Sequence, residues 1–391
     1  MAGPLVVVAG ALANKPANGG EAWVRLSWIQ GLERLGCRVV LVEEIAQAHC
    51  TDTARRPAAF PDSANRAWFC DVVARFGLNG RAALLCDNGD GAGLTRPDVA
   101  DLAAEADLLV NISGHLSDPA LFAAFRRRAF VDIDPGFTQF WHAAGQGARL
   151  SGHHRYFTIG ERIGRAGCPI PVGEFRWQPT RQPVVLDAWP PAVDDGMTGA
   201  AAARFTTIAN WRGPFGPVET DRRRFGLKVH EFRKFLTLPG LVPGARFEAA
   251  LAIHPDERPD LDQLDTCGWA LADPVAVAGT PDAFRRYVAG STAEFSAAQG
   301  IYVETRSGWF SDRTTRYLAS GRPALVQDTG FSELIPADKG LTAFSTLEEA
   351  RSGARSILAD YEAHCAAARA VAESYFDSDV VLTPFLEHCE L

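Results

Sequence analysis

The chain has 391 residues, of which 47% are hydrophobic and 22% are charged. This composition is that of a folded globular protein and argues against disorder, and the length allows two domains of roughly 100–200 residues each. The formal net charge of −8 argues against a general electrostatic attraction to nucleic acid or to an anionic membrane, so any phosphate-binding site must be local.

Cysteine usage and hydropathy indicate the compartment. The eight cysteines form no C-x-x-C pair and no close Cys/His cluster of the zinc-ligand type, which indicates reduced thiols. The first residues, MAGPLVVVAGALANK, lack the basic region of a signal peptide, and no apolar run approaches the ~20 residues of a membrane helix. We therefore expect a cytoplasmic protein with no integral membrane segment, and its oligomeric state stays open.

Short apolar runs alternate with longer amphipathic segments before residue 165, which is typical of βα units around a parallel sheet. The predicted strands are 4–10, 37–43, 81–86, 106–113, 128–134 and 155–160, and the predicted helices are 20–36 and 117–128. Residues 165–203 then concentrate proline and glycine without a sustained period, which indicates a connection between domains.

The alternation starts again at residue 204. The predicted strands are 204–211, 246–253, 268–274, the segment 294–306 and 323–328, and the predicted helices are 226–239, 281–291, 311–321, 346–376 and 378–389. The fold class is therefore α/β, with two Rossmann-like doubly wound domains facing each other across a cleft. Because open parallel sheets bind ligands at the carboxyl ends of their strands, we expect the site in the loops that follow strands.

Two glycines, Gly19 and Gly20, follow the first strand and open the first helix. Glycines at this position let a ligand approach the backbone, and free N–H groups at a helix start favour an anion. The segment is not G-x-G-x-x-G, so the dinucleotide fingerprint is absent. A turn that simply needs flexible residues is the alternative interpretation.

The segment SGWFSDRTTRYLASGRPALVQDTG, residues 307–330, holds most of the candidate donor-binding residues. Ser311 is placed as the N-cap of a helix after a Ser-Gly bend, so several N–H groups and an arginine converge and predict a diphosphate cradle. Asp312 is expected on a sugar or ribose hydroxyl, or else complements the helix dipole. Trp309 either covers a nucleobase or sugar ring or packs in the core. The candidates here are Ser307, Gly308, Trp309, Ser311, Asp312, Arg313, Asp328 and Thr329.

Residues 301–341 resemble the donor-binding half of a GT-B glycosyltransferase, in which a Ser and Glu/Gly loop, a helix, a small-x-Gly-x-Pro-Val step, a strand and a D-x-G turn follow one another. The segment GGEAWVRLSWIQGLERLGCRVVLVEE resembles the glycine-pair helix that opens this superfamily. The glutamate pair of many retaining GT-B enzymes is missing, because its positions hold Gly308 and Arg316. The chain is most similar to a glycosyltransferase family 1-like or CgeB-like branch.

This resemblance implies a division of the chain and a set of cations for the donor. It implies an acceptor domain over 1–180, a linker over 181–203, a nucleotide-sugar donor domain over 204–370 and a C-terminal helix over 371–391 that crosses back to the first domain. It also implies that basic residues early in the second domain grip the donor diphosphate. Arg212 and Lys228 are the candidates, and Lys228 is one of only four lysines in the chain.

For the acceptor site, loops after strands in the first domain offer His115 and Asp134 as catalytic candidates. His115 lies just beyond a buried strand, where a base with a near-neutral pKa would face the cleft. Asp134 lies nearer the cleft mouth than Asp132, and its carboxylate could deprotonate the acceptor or orient a histidine. The letters DID match a D-x-D metal motif, but the duplicated α/β organisation favours a strand and loop here, so we expect no metal.

Together these features predict a glycosyltransferase that moves a sugar from a nucleotide-diphosphate sugar to the hydroxyl or amine of a small-molecule or glycan acceptor, without metal and without a further cofactor. We expect no nucleic-acid partner. Two alternatives stay open: a nucleotide-sugar epimerase on the same scaffold, and a non-catalytic nucleotide- or glycan-binding protein. The nucleotide, the sugar and the stereochemical outcome are not identified by the sequence.

Overall fold

The computed structural model describes residues 3–192, 203–213, 215–220 and 223–391. Its first lobe is built on an eight-stranded sheet in the order β4-β3-β2-β1-β5-β6-β7-β8. The strands are β1 (Leu5–Ala9), β2 (Arg38–Ile45), β3 (Ala82–Cys86), β4 (Gly91–Gly93), β5 (Leu108–Ile112), β6 (Arg128–Asp132), β7 (Arg155–Thr158) and β8 (Trp177–Pro179). The helices are α1 (Gly19–Arg34), α2 (Ala64–Arg75), α3 (Arg96–Glu105), α4 (Pro119–Ala124) and α5 (Phe137–Ala143).

The second lobe is built on a six-stranded, all-parallel sheet in the order β13-β12-β9-β14-β15-β16, beside a small hairpin of β10 and β11. The strands are β9 (Ala203–Asn210), β10 (Glu219–Thr220), β11 (Arg223–Arg224), β12 (Ala245–Ala252), β13 (Trp269–Ala272), β14 (Ala293–Ser296), β15 (Ala324–Gln327) and β16 (Leu341–Phe344). The helices are α6 (Lys228–Phe232), α7 (Leu238–Leu241), α8 (Arg258–Thr266), α9 (Pro274–Ala278), α10 (Pro281–Ala289), α11 (Gly300–Thr305), α12 (Asp312–Ala319), α13 (Leu347–Ala359) and α14 (Tyr361–Tyr375). The final helix, α15 (Ser378–His388), packs on the first lobe, where the ring of Phe385 lies 4.4 Å from that of Phe157 in β7.

The central strands are continuous apolar runs because both of their faces are covered. All five residues of β1, LVVVA, are buried, and the strand pairs in parallel with β2 and β5. Parallel strands buried on both faces need such runs, since helices pack on each side of the sheet. The parallel arrangement brings the carboxyl ends of β1, β5 and β6 to one edge of the first sheet.

Helix α1 joins the two lobes into one packed unit. The indole N–H of Trp23 donates to the Pro281 carbonyl of the second lobe over 2.9 Å. On another face of α1, the ring of Trp28 packs edge-on against Phe385 of α15 at 5.1 Å between centroids. A single cluster of buried apolar side chains therefore continues from the first sheet through α1 into α10, α12 and α15.

Several predicted elements end earlier than expected. The segment 301–306, predicted as the end of a strand, is helix α11, because β14 stops at Ser296 and the chain turns before re-entering a helical conformation. The predicted helix 226–239 breaks into α6 and α7, and Pro239 falls in the first turn of α7. A proline fits the first turn of a new helix but not the interior of a continuous one.

The predicted connection 165–203 contains a strand, β8, which pairs in parallel with β7 at the edge of the first sheet. Pro179 ends this strand, and an edge strand tolerates proline because one side of it has no partner. Residues 193–202 of the predicted linker lie outside the described residues, and the domain boundaries stay a prediction. Within the described ranges, no helix combines the length and apolar character needed to cross a membrane.

Candidate functional site

The β1–α1 loop is held rigidly at the carboxyl edge of the first sheet by a buried carboxylate. Glu43 of β2 accepts the backbone N–H groups of Leu12, Ala13 and Asn14 at 2.8, 2.6 and 2.8 Å. Burial raises the pKa of Glu43, and these hydrogen bonds oppose that effect. The fixed loop carries Lys15 and ends at Asn18, whose side chain caps α1 by accepting the N–H of Glu21.

Asp134 lies in the loop after β6, and its carboxyl group has the properties of an acid-base group. Burial raises its pKa to about 7, and the negative charges of Asp132 and Glu21 add to that effect. Burial raises the pKa of Tyr302 of the second lobe, and the negative charge of this carboxyl group raises it further, so the two side chains lie close together. Asp134 therefore sits where the two lobes meet and exchanges a proton near neutral pH.

Asp132, two residues earlier, is fully buried and has a structural role. Its carboxyl group accepts hydrogen bonds from Thr138, Gln139 and Thr158 at 2.7, 2.8 and 2.7 Å. These donors fix the loop that carries Asp134. Within the described ranges, no group of three or more His, Cys, Asp or Glu side chains is arranged to hold a metal ion, and this includes the DID segment.

His115 follows β5 and lies close to three cations. Burial is the main cause that lowers its pKa to about 3, and the charges of Arg25, Arg149 and Lys15 lower it further. The imidazole is therefore neutral at physiological pH. The preceding residue pair adopts left-handed backbone conformations, with φ of 53° at Ser113 and 68° at Gly114. Such conformations are costly outside glycine and cluster at functional sites.

Sequence reasoning missed two charged residues of α1 in this site. Arg25 is only 2% exposed and forms an ion pair with Glu21 one turn earlier. Its charge lowers the pKa of His115, and that of Glu21 raises the pKa of Asp134. The spacing of four residues predicts a helical ion pair, but the burial of the Arg25 side chain has no local signal in the sequence.

On the second lobe, Lys228 is buried at the start of α6. Its Nζ donates to the Ala297 carbonyl over 2.9 Å, and its backbone N–H donates to Gln299 over 3.1 Å. Burial lowers the pKa of Lys228 to about 7, and the charge of Arg313 lowers it further. The segment 297–302 therefore contacts Lys228 at one end and Asp134, through Tyr302, at the other.

Arg313 is buried in the first turn of α12 and its donors are already used within the protein. Its guanidinium donates to Glu294, to the Ile208 carbonyl and to Ser296 over 2.5, 2.6 and 2.7 Å. It therefore acts on Lys228 through its charge, instead of reaching freely into solvent.

The start of α12 stays open, because the Ser311 side chain makes no capping hydrogen bond. Asp312 pairs with Arg316 over 2.8 Å, one turn further along the helix. Arg316 itself is fully buried, and its guanidinium lies over the Trp189 ring at 5.9 Å from the centroid. An ion pair thus occupies the position where many retaining GT-B enzymes carry a glutamate.

The remaining residues of the predicted cradle line the seam between the lobes. The Gly308 N–H donates to the Thr329 carbonyl over 2.8 Å, and the Ser307 carbonyl accepts the N–H of Arg162 from the first lobe over 3.0 Å. Trp309 stacks on Tyr302 at 4.4 Å. The expected open amides of Ser307 and Gly308 are therefore engaged within the protein, and these residues connect the lobes.

Asp328 holds the turn that follows β15. One oxygen of its carboxylate accepts the N–H groups of Gly330 and Ser332 over 2.9 and 3.3 Å. Arg212, at the carboxyl end of β9, forms a two-point ion pair with Glu257 at 2.6 and 2.8 Å. The charged groups of Asp328 and Arg212 are therefore both engaged within the protein.

The glycine pair serves packing between the lobes. A Cβ atom at Gly19 would lie 2.2 Å from the Thr280 carbonyl oxygen, and one at Gly20 would lie 3.1 Å from the Phe284 ring. The backbone that approaches Gly19 is thus that of the second lobe, where the sequence had led us to expect a ligand.

No protein-family model and no curated protein matches the chain. Solved structures do match it over almost their whole length. An alpha-glucosyltransferase in complex with UDP and a 13-mer DNA containing an HMU base has a TM-score of 0.61 at 10% identity, with 100% of each chain covered. Anabaena Alr3699/HepE in complex with UDP-glucose has a TM-score of 0.61 at 12% identity, with 99% of each chain covered.

A third similar structure is AviGT4, a glycosyltransferase involved in Avilamycin A biosynthesis. It has a TM-score of 0.54 at 14% identity and is aligned over 99% of this chain and 97% of its own. At these identities the likeness establishes the fold. The chain has the GT-B fold, with two Rossmann-like lobes facing each other.

Proposed function

We propose that the protein is a glycosyltransferase that moves a sugar from a nucleotide-diphosphate sugar to an acceptor hydroxyl or amine. One observation carries this proposal. The segment 297–302 contacts a buried lysine of one lobe and, through Tyr302, an aspartate of the other whose pKa is about 7. A cation for the departing diphosphate and a group that accepts a proton from the acceptor thus lie on opposite sides of one cleft.

The donor diphosphate would bind to the second lobe, at Lys228 and the open first turn of α12. A helix start offers N–H groups and a positive dipole end to an anion, and the Ser311 side chain does not bond to these N–H groups. Asp312, held by Arg316, is placed for a ribose or sugar hydroxyl. We further propose that these groups stabilise the departing diphosphate and that no metal ion is needed. UDP is the first nucleotide to test, because it is bound in the similar alpha-glucosyltransferase and HepE structures.

Asp134 is the better choice for the base. A carboxyl group with a pKa of about 7 both accepts and releases a proton near neutral pH, which suits a general base. His115, with a pKa of about 3, stays neutral and is suited to a hydrogen bond with the acceptor. We therefore assign proton transfer to Asp134 and orientation of the acceptor to His115.

The acceptor is proposed to be a small molecule or a glycan, in a cytoplasmic protein of a CgeB-like branch. One similar structure contains DNA, so DNA is the alternative acceptor that a specific observation favours. The net charge of −8 opposes it, since proteins bind DNA mainly through cations on its phosphates.

The test is release of free nucleotide from a panel of UDP, TDP, GDP and ADP sugars, with and without acceptors that include HMU-containing DNA. We expect acceptor-dependent release that Asp134→Asn abolishes and that the exposed control Asp101→Asn leaves unchanged. Conversion of the sugar without acceptor would identify an epimerase, and binding without turnover would identify a binding protein. Transfer to DNA alone would overturn the small-molecule or glycan assignment.

A further inference from the structure

We propose that the acceptor carries an anionic group, a phosphate or a carboxylate, which Lys15 and Arg149 bind beside His115. This inference rests on the proposed glycosyl transfer and adds the chemical class of the acceptor. Lys15 lies in the loop after β1 and Arg149 in the segment before β7, so both belong to the first lobe.

Lys15 is half-buried in the loop that Glu43 holds at the carboxyl edge of the first sheet. Its charge acts on the pKa of Glu21, His115 and Asp134, which surround the carboxyl ends of β1, β5 and β6. Its Nζ makes no hydrogen bond or salt bridge with any of the described residues. An ammonium group near these residues that forms no direct hydrogen bond or ion pair keeps its donors for a ligand.

Arg149 is the second cation near His115, and it packs against the neighbouring Gly114. Its guanidinium donates only a long hydrogen bond, 3.4 Å, to the Gly114 carbonyl, and it has no carboxylate partner among the described residues. Its charge also acts on His115. Two cations thus converge on one neutral imidazole, and a bound anion would relieve their mutual repulsion.

The other arginines near this site form ion pairs with carboxylates. Arg25 pairs with Glu21, and Arg316 pairs with Asp312. These two buried arginines form direct ion pairs, whereas Lys15 and Arg149 form none with the described residues. The paired arginines thus have a structural role, and the unpaired Lys15 and Arg149 are suited to bind an anion.

The subsite is built on fixed loops. Glu43 holds the β1–α1 loop, and its neighbour Glu44 accepts the backbone N–H groups of Ser117 and Asp118 over 2.6 and 3.1 Å, just after His115. Arg149 has a left-handed backbone with φ of 50°, and its Cβ would lie 2.9 Å from a Cβ placed on Gly114. These contacts fix the backbone segments that carry Lys15, His115 and Arg149, which favours a preorganised binding site.

The position of the subsite favours the acceptor over the donor. Lys228 and α12 offer charge and N–H groups to the donor diphosphate on the second lobe. Lys15 and Arg149 belong to the first lobe, which also carries the proposed base, Asp134. Phosphate and carboxylate both accept charge-assisted hydrogen bonds from lysine and arginine, so they share one recognition chemistry.

The binding test uses inorganic phosphate and acetate, each titrated by calorimetry into protein saturated with UDP so that neither probe can occupy the donor diphosphate site. We expect phosphate or acetate to bind the wild type, and Lys15→Gln and Arg149→Gln each to weaken that binding about tenfold. The control is Arg126→Gln, an exposed arginine just before β6, at the opposite edge of the sheet, whose loss should change nothing. Equal binding of both probes by wild type and Lys15→Gln would overturn the subsite. The stronger of the two probes identifies the anionic group.

The turnover test compares matched acceptors, glucose with glucose 6-phosphate and glucose with glucuronate. The proposal is supported if the wild type prefers the anionic acceptor and both Lys15→Gln and Arg149→Gln lose that preference. A preference for neutral glucose overturns it, as does a rise in the KM of the nucleotide sugar alone. Failure of the wild type to bind any nucleotide would contradict the proposed function instead. The phosphate titration, repeated without UDP, would then still decide the subsite.

Discussion

Two aspartates two residues apart, Asp132 and Asp134, have different chemistry because their surroundings differ. Asp132 accepts three side-chain hydrogen bonds from its own lobe and is fixed. Asp134 meets the second lobe at Tyr302, and burial among like charges raises its pKa to about 7. The identity of the residue does not decide which aspartate can react; its neighbours do.

We predict that kcat/KM rises with pH through about 7, because Asp134 must lose its proton before it can accept one from the acceptor. Asp134→Asn should lower kcat by about 10²–10⁴-fold and remove this limb of the pH profile. Steady-state rates from pH 5.5 to 8.5 measure both. An unchanged limb in the variant would assign the titration to another group, and full activity would remove Asp134 from the mechanism.

The low pKa of Lys228 predicts a second pH dependence, that of UDP affinity. Its sign is opposite to that of the Asp134 limb. The Lys228 pKa of about 7 means that much of the free protein carries an uncharged amine above neutral pH, whereas a bound diphosphate favours the ammonium form. UDP affinity should therefore fall as pH rises from 7 to 9, with proton uptake on binding, and Lys228→Gln should flatten this dependence. Calorimetry in buffers of different ionisation enthalpy measures the uptake. Zero uptake at pH 8 would contradict a contact between Lys228 and the diphosphate.

At the residue scale, the sequence could identify polar groups after strands but not their partners. Asp134 and His115 follow apolar runs, so their place at the sheet edge was predictable. The burial of Arg25 was not, because it has no local signal in the sequence of α1. Likewise, the saturation of Arg313 depends on Glu294, Ser296 and Ile208, which come from two other strands.

Among the elements, α1 has the strictest packing because it lies between the lobes. Strands were predictable from short apolar runs, since a buried strand needs them on both faces. Helix ends were less predictable. The predicted helix 346–376 divides at Asp360 into α13 and α14, and the predicted helix 117–128 shortens to α4, which follows the Asp118 cap. Helix ends depend on capping contacts as well as on periodicity.

Gly19→Ala should destabilise the protein by about 1–3 kcal/mol, since the new methyl group meets the Thr280 carbonyl, which belongs to backbone and cannot simply rotate away. The matched control is Gly240→Ala in α7, where a Cβ meets nothing within 4 Å. There the change should be neutral or stabilising by up to about 1 kcal/mol. Urea unfolding of both variants compares them. Equal stability of Gly19→Ala and wild type would show that α1 and the Thr280 backbone are not in close contact in solution.

At the scale of the whole molecule, the duplicated βα pattern predicted two doubly wound lobes, and the structure confirms this fold. The way the lobes close on each other could not be predicted, because contacts such as Trp23 with Pro281 and Ser307 with Arg162 join residues far apart in the chain. The same closure turns Ser307 and Gly308 from an open cradle into part of the seam. The account of function rests on the groups beside this seam, Asp134 of the first lobe and Tyr302 and Lys228 of the second.

Nucleotide binding to the second lobe tests that account most directly. A thermal-shift screen across UDP, TDP, GDP, ADP and CMP measures it, because a ligand that binds only the native state raises the unfolding temperature. We predict a clear rise with at least one nucleoside diphosphate, largest with UDP, reduced in Lys228→Gln and retained in the exposed control Lys339→Gln. No shift with any of the five nucleotides would contradict the claim that this cleft binds a nucleotide-sugar donor.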